Sequence, residues 1–144
     1  MYTRNQMTVE FGFLKDYPDT IIDYEGDDET GVTIKIEALF GTATSLRINN
    51  VTRGEYIIID DAKLTAILGS GIQKYDLITI DTTKGNKTAT LTRDGENKSI
   101  LNAISLSSKW IQLQKGENRF TATATEGLDN MVISVVYQNR VLGV

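Results

Sequence analysis

The sequence predicts an all-β domain: an antiparallel two-sheet β-sandwich with little helix. Three observations carry the prediction. Apolar and polar residues alternate with period two in several short segments, glycine- and asparagine-bearing turns separate those segments, and threonine dominates the outward positions. A length of 144 residues fits one domain, and 40% hydrophobic with 24% charged residues is the balance of an ordinary globular chain.

The elements follow in chain order. MTVEFGFL, near the start, reads as a strand that pairs outside the main sandwich. In VTIKIEALF, Val32, Ile34, Ile36, Ala38 and Phe40 share one face, and Thr33, Lys35, Glu37 and Leu39 the other. DDAKLTAILGSG puts Leu64, Ile67 and Leu68 on one helical face, with Asp60 or Asp61 to cap it and Gly69 to end it. The same residues also read as an irregular strand and loop. DLITID turns Ile78 and Ile80 inward, KTATLTR turns Ala89 and Leu91 inward, and Gly85-Asn86 lies between the two. Asp94-Gly95 supplies the positive-φ pair of a tight hairpin. SILNAISLSS holds a helical turn around Leu101 to Ile104. RFTATATE directs Phe120, Ala122 and Ala124 inward, and MVISVVYQ closes the core. The outward threonines suit strands, because a β-branched side chain packs on a pleat and is restricted in a helix.

Composition excludes several chemistries. The chain has no histidine and no cysteine, so Ser-His-Asp triads, Cys-His dyads, cysteine redox motifs and the common zinc sites are out, and no disulfide exists. A net charge of -4 argues against nucleic acid as a partner, which needs clustered Lys and Arg. No stretch reaches the roughly 20 apolar residues of a membrane span, and the start, MYTRNQMTVEFGF, has no signal-peptide core.

The residues that invite a site each have a plainer reading. Asp16, Asp19, Asp23, Glu25, Asp27, Asp28 and Glu29 form an acidic run whose spacing does not match a calcium loop, and a solvated segment accounts for it. Glu37, Glu55, Glu96, Glu117 and Glu126 fall on wet faces or in turns, where nothing raises a carboxyl pKa for acid catalysis, and no enzyme activity or cofactor is expected. Tyr24, Tyr56 and Tyr75 are the candidates for stacking a sugar ring, with Trp110 and Tyr137 more readily explained by packing.

From about residue 20 onward, the order of segments resembles the C-terminal domain of the siphophage distal tail protein family. The resemblance rests on IIDYEGDDETGVTIKIEA, TSLRINNVTRGEYIIID, YDLITIDTTKGNKTATLTRDG, SKWIQLQKGENRFTATA and VISVVYQNRVLGV, in that order. The most specific block is SxWxxLxxGxN: Ser108, Trp110, Leu113, Gly116 and Asn118. The chain departs from the pattern at Ile111, Lys115 and Val141, where the family usually carries an aromatic, a proline and a tyrosine.

The resemblance implies a jelly-roll or galectin-like sandwich over residues 21–144. Residues 1–20 would be a remnant of the N-terminal domain that forms a hexameric ring in the family. It implies a structural virion component at the tip of a long non-contractile tail, made in the bacterial host cytoplasm. The module would dock other tail or baseplate proteins, with homo-oligomerisation belonging to the full-length protein. The alternative is a carbohydrate-binding module that contacts host cell-wall glycans. Trp110, Leu113, Gly116 and Asn118 would then be fold determinants: Trp for packing, Gly for a positive φ, Asn for a turn-closing side-chain bond.

Overall fold

The computed structural model describes residues 2–11 and 19–142. The strands are β1 (Tyr2–Phe11), β2 (Asp19–Tyr24), β3 (Thr30–Gly31), β4 (Thr33–Ala38), β5 (Arg47–Asn50), β6 (Glu55–Ile58), β7 (Leu77–Asp81), β8 (Thr88–Arg93), β9 (Glu96–Ser99), β10 (Gln112–Leu113), β11 (Gly116–Thr123) and β12 (Met131–Leu142). One helix, α1 (Asp61–Leu68), and 3₁₀ turns at Leu101–Ala103 and Leu128–Asn130 complete the described elements. A six-stranded sheet runs β1-β12-β4-β7-β8-β9 and a four-stranded sheet runs β2-β11-β5-β6, while β10 pairs with β3. Every pairing is antiparallel.

Period-two alternation builds the core. Ile34, Ile36, Ile78, Ile80, Leu91, Ile133 and Val135 project from the large sheet onto Ile22, Tyr24, Ile48, Ile57 and Phe120 of the small one, all buried. The inward residues expected at Val32, Ala38, Ala89 and Ala122 are buried too, and Ala124 packs partly against the core. Phe40 is a correction: it is 61% exposed. The strand ends at Ala38, whose N–H and carbonyl are held by the Asp76 carbonyl and the Tyr75 N–H. Beyond that point the alternation no longer governs which way a side chain faces.

The segment with two readings is a helix. Asp60 accepts from the Lys63 N–H at 2.9 Å, Gly69 takes φ 78°, and Leu64 is buried beneath. The hairpin at Asp94-Gly95 has φ values of 52° and 78°, the paired positive angles of a type I′ turn. A second correction concerns the N-terminal strand. β1 does not pair outside the sandwich but forms the edge of the large sheet, registered against β12 from Tyr2↔Leu142 to Phe11↔Ile133. Gly12, Phe13 and Leu14 of the expected strand lie outside the described residues, as does Asp16.

Arg93 locks the segment before β7. Its guanidinium donates to both carboxylate oxygens of buried Asp76, at 2.8 and 2.7 Å, and also to Ser70 and the Gly71 carbonyl. The Asp76 bond holds the Arg93 pKa above its ordinary value, so the guanidinium stays charged throughout the working range. A buried carboxylate requires such a partner.

Candidate functional site

The residues of the SxWxxLxxGxN block divide into an inward and an outward set. Inward, a seam of polar side chains crosses the core between the sheets. Thr82, at the end of β7, accepts from the Val32 N–H at 2.8 Å and donates to the Ile111 carbonyl at 2.6 Å. Gln112 donates to the Thr82 carbonyl at 2.8 Å. Asn50, on β5, donates to the Gln112 carbonyl at 2.9 Å and to Asn118 Oδ1 at 3.2 Å. Asn118 Oδ1 also accepts from the Gln114 N–H, and its Nδ2 donates to the Gln114 and Gly116 carbonyls at 2.8 and 3.0 Å.

Asn118 thus closes the turn before β11 and ties it to β5. The turn needs Gly116, whose φ of 91° is reached without penalty only by glycine. Leu113 is fully buried, and Ser108 Oγ accepts from the Ile58 N–H at 3.0 Å. Buried polar atoms need such partners, and in the seam only Asn50 Oδ1 has none among the described residues. The sequence shows the signal for this seam after the fact: Asn50 and Asn118 occupy the same inward parity as Ile48 and Phe120.

An outer layer reinforces the seam. Glu55 accepts from the Gln112 N–H at 3.0 Å and from Arg53 at 2.7 Å, so it is half-buried rather than on a wet face. Arg53 also reaches Glu29, which pairs with Lys84 at 3.0 Å. The Lys84 hydrogen bond is the largest influence on Glu29 and lowers its pKa; burial, the next largest, opposes it, and the charges of Arg53 and Lys84 carry the net shift downward. Elsewhere in the acidic run, Asp27 pairs with Lys115 and Asp19 with Arg119. Among the described residues no group of three acidic side chains is arranged to hold a metal ion.

The three tyrosines do not form one platform. Tyr24 is fully buried, edge-on to Tyr137 with ring centroids 6.1 Å apart, and its hydroxyl donates to the Asp28 carbonyl at 2.6 Å. It therefore presents no face to a sugar, which corrects the expectation for that residue. Its inward parity on β2 and its bulk decide the matter. Tyr56 is half-buried, with the Arg47 guanidinium 4.2 Å from its ring centroid. Tyr75 is 73% exposed on the loop before β7, at φ 73°.

Trp110 is the outward member of the block. It is half-buried, packed on the core along part of its ring, and lines a groove of about 380 Å³. Leu101, Ile104 and Leu106 line the same groove together with the polar Lys63, Asn102, Ser105 and Ser108. Sequence reasoning missed Leu106, because a single leucine in SLSS carries no periodicity that reports its exposure.

The fold and these sites define a structural β-sandwich module, in which the most distinctive residues hold the sheets together or lie on an outer surface. A family model described as siphovirus-type tail component, C-terminal domain, matches residues 25–140, and the chain belongs to that family. Among solved structures, the crystal structure of SPP1 Dit (gp 19.1), described as a paradigm of the hub adsorption apparatus in Gram-positive infecting phages, is similar in fold. It shares 14% identity at a TM-score of 0.57, over 95% of this chain and 47% of that one. Two structures of the phage P2 baseplate in its activated conformation also match, both at a TM-score of 0.44. The calcium form shares 11% identity over 79% of this chain and 34% of that one, and the strontium form 10% over 80% and 35%. No curated protein sequence matches. The chain spans about half the length of SPP1 Dit.

Proposed function

We propose that this chain is a docking module of a baseplate hub at the tip of a long non-contractile phage tail. The observation that carries the reading is the agreement between the family match over residues 25–140 and the fate of the family's characteristic residues. Leu113, Gly116 and Asn118 serve the inter-sheet seam, which is the investment expected of a rigid scaffold. In the longer protein a ring-forming part would supply the homo-oligomer. We place its junction at residues 1–20, where β1 lies on the outermost edge of the large sheet.

Of the three tyrosines expected to stack a sugar, only Tyr56 and Tyr75 keep part of a ring outside the core. Those rings sit on different elements, and a sugar cleft needs aromatic and polar groups converging on one concave surface. Immunogold labelling of purified tails tests the proposal. Gold at the distal tip is expected; gold along the tube, or tails free of the chain, would contradict it.

A further inference from the structure

We propose that the open edge of β12, past the end of β4, takes an extended segment of another tail protein as an added strand. This rests on the tail-module reading and adds the surface and the form of the partner. The site lies where two neighbouring strands part. β12 runs on to Leu142, but β4 accompanies it only from Met131 to Val136. Continued by two residues, that register would set Gly31 opposite Gln138, yet Thr30–Gly31 turns away to pair with β10. On its other side β12 stays paired with β1 as far as Leu142.

The direction of the peptide groups follows from β4. The Ala38 N–H donates to the Asp76 carbonyl, and the Val32 carbonyl accepts from the Thr82 N–H, so the even-numbered residues of β4 turn their peptide groups toward β7. Thr33, Lys35 and Glu37 therefore turn theirs toward β12, where they meet Val136, Ser134 and Val132. Beyond Val136 the same alternation aims the N–H and C=O of Gln138, Arg140 and Leu142 away from β1. There they have no backbone partner among the described residues.

That row of main-chain groups decides what fits. A notch of about 350 Å³ opens where the strands part, with Val136, Tyr137 and Gln138 on one side and Thr30, Gly31 and Thr33 on the other. Donors and acceptors repeating every second residue are matched by an extended polypeptide, and not by a helix, whose peptide groups are spent internally. Other edges are guarded. β9 is four residues long and carries Glu96 and Lys98, and the β6 carbonyls of Tyr56 and Ile58 accept from the Lys109 and Ser105 N–H groups. Neither proline nor lysine guards residues 137–142. A second copy of the chain fits less well. Laid antiparallel over the whole open stretch it sets Arg140 against its own counterpart, and like charges directly opposite destabilise a sheet. Shifted two residues toward β4, it drives its Leu142 into the place beside Val136 that Thr33 fills.

The test measures amide hydrogen exchange, residue by residue, in the full chain free and assembled into tails. In the free chain the N–H groups of Gln138 and Arg140 should exchange about tenfold faster or more than those of Asn139 and Val141, which face β1. In tails they should slow by about tenfold or more, while Gln6 and Thr8 on the outer edge of β1 keep their rates. A photoreactive benzophenone side chain at exposed Lys35, which lines the notch, should link to another tail polypeptide on irradiation, and the same group at exposed Val51 should not. Uniform exchange across 138–141 in the free chain, or unchanged rates at Gln138 and Arg140 in tails that contain it, would each overturn the proposal. So would the absence of a link at 35, or a link there to a second copy or to a glycan. Tails that lack the chain would overturn the tail-module reading itself.

Discussion

The inner seam and the outer groove both draw on residues 105–118, the seam adding Asn50 and Thr82 and the groove adding Lys63 and Leu101, and they differ in what they ask of a side chain. In the seam a polar group is surrounded by donors and acceptors at fixed distances, so its removal strands several partners in a dry interior. At the groove an apolar group faces solvent, and its removal strands nothing. The contrast teaches that one family motif has two sides, with Leu113, Gly116 and Asn118 setting the structure within and Trp110 half-buried at the surface.

Breaking the seam should give the largest effect. Asn118→Ala removes the group that serves Gln114, Gly116 and Asn50 at once. We expect a loss of about 3–4 kcal/mol in urea denaturation, and a melting point lower by about 10 °C. Thr82→Val keeps the shape but leaves the Val32 N–H and Ile111 carbonyl unpaired, for about 2–3 kcal/mol in the same assay. Trp110→Ala should cost about 2 kcal/mol, less than the roughly 3–5 expected of a fully buried tryptophan, because part of the ring is already wet.

A smaller effect belongs to the outer layer of the seam. The folded-state pKa of Glu29 is depressed, so its contribution is fully present above its ordinary value near 4.5 and fades as pH falls through the lowered value. Glu29→Gln should therefore narrow the stability difference between neutral and acidic pH, measured as melting temperature against pH. Leu106→Ser should change stability by no more than about 0.5 kcal/mol.

Much of this contrast was legible in the sequence. Alternation located the inward isoleucines, and Asp60 with Gly69 marked both ends of the helix. Asp94-Gly95 marked its hairpin, and Gly116 with Asn118 marked the turn before β11. What alternation does not report is where a strand stops, which is why Phe40 faces solvent one step beyond the Ala38 contact with the Asp76 loop. Nor does it report what a polar residue at an inward position meets across the core. Asn50, Thr82 and Gln112 come together only through strands far apart in the chain. The groove was hidden for the opposite reason: the exposure of Leu106 depends on the turns around it, and the half-burial of Trp110 on how α1 and the Leu101 turn pack beside it.

The most direct test of the division compares Asn118→Ala with Leu106→Ser by urea denaturation of the two purified variants. The account predicts a loss of about 3–4 kcal/mol for the first and no more than about 0.5 kcal/mol for the second. Equal losses, or the larger loss at Leu106, would contradict it.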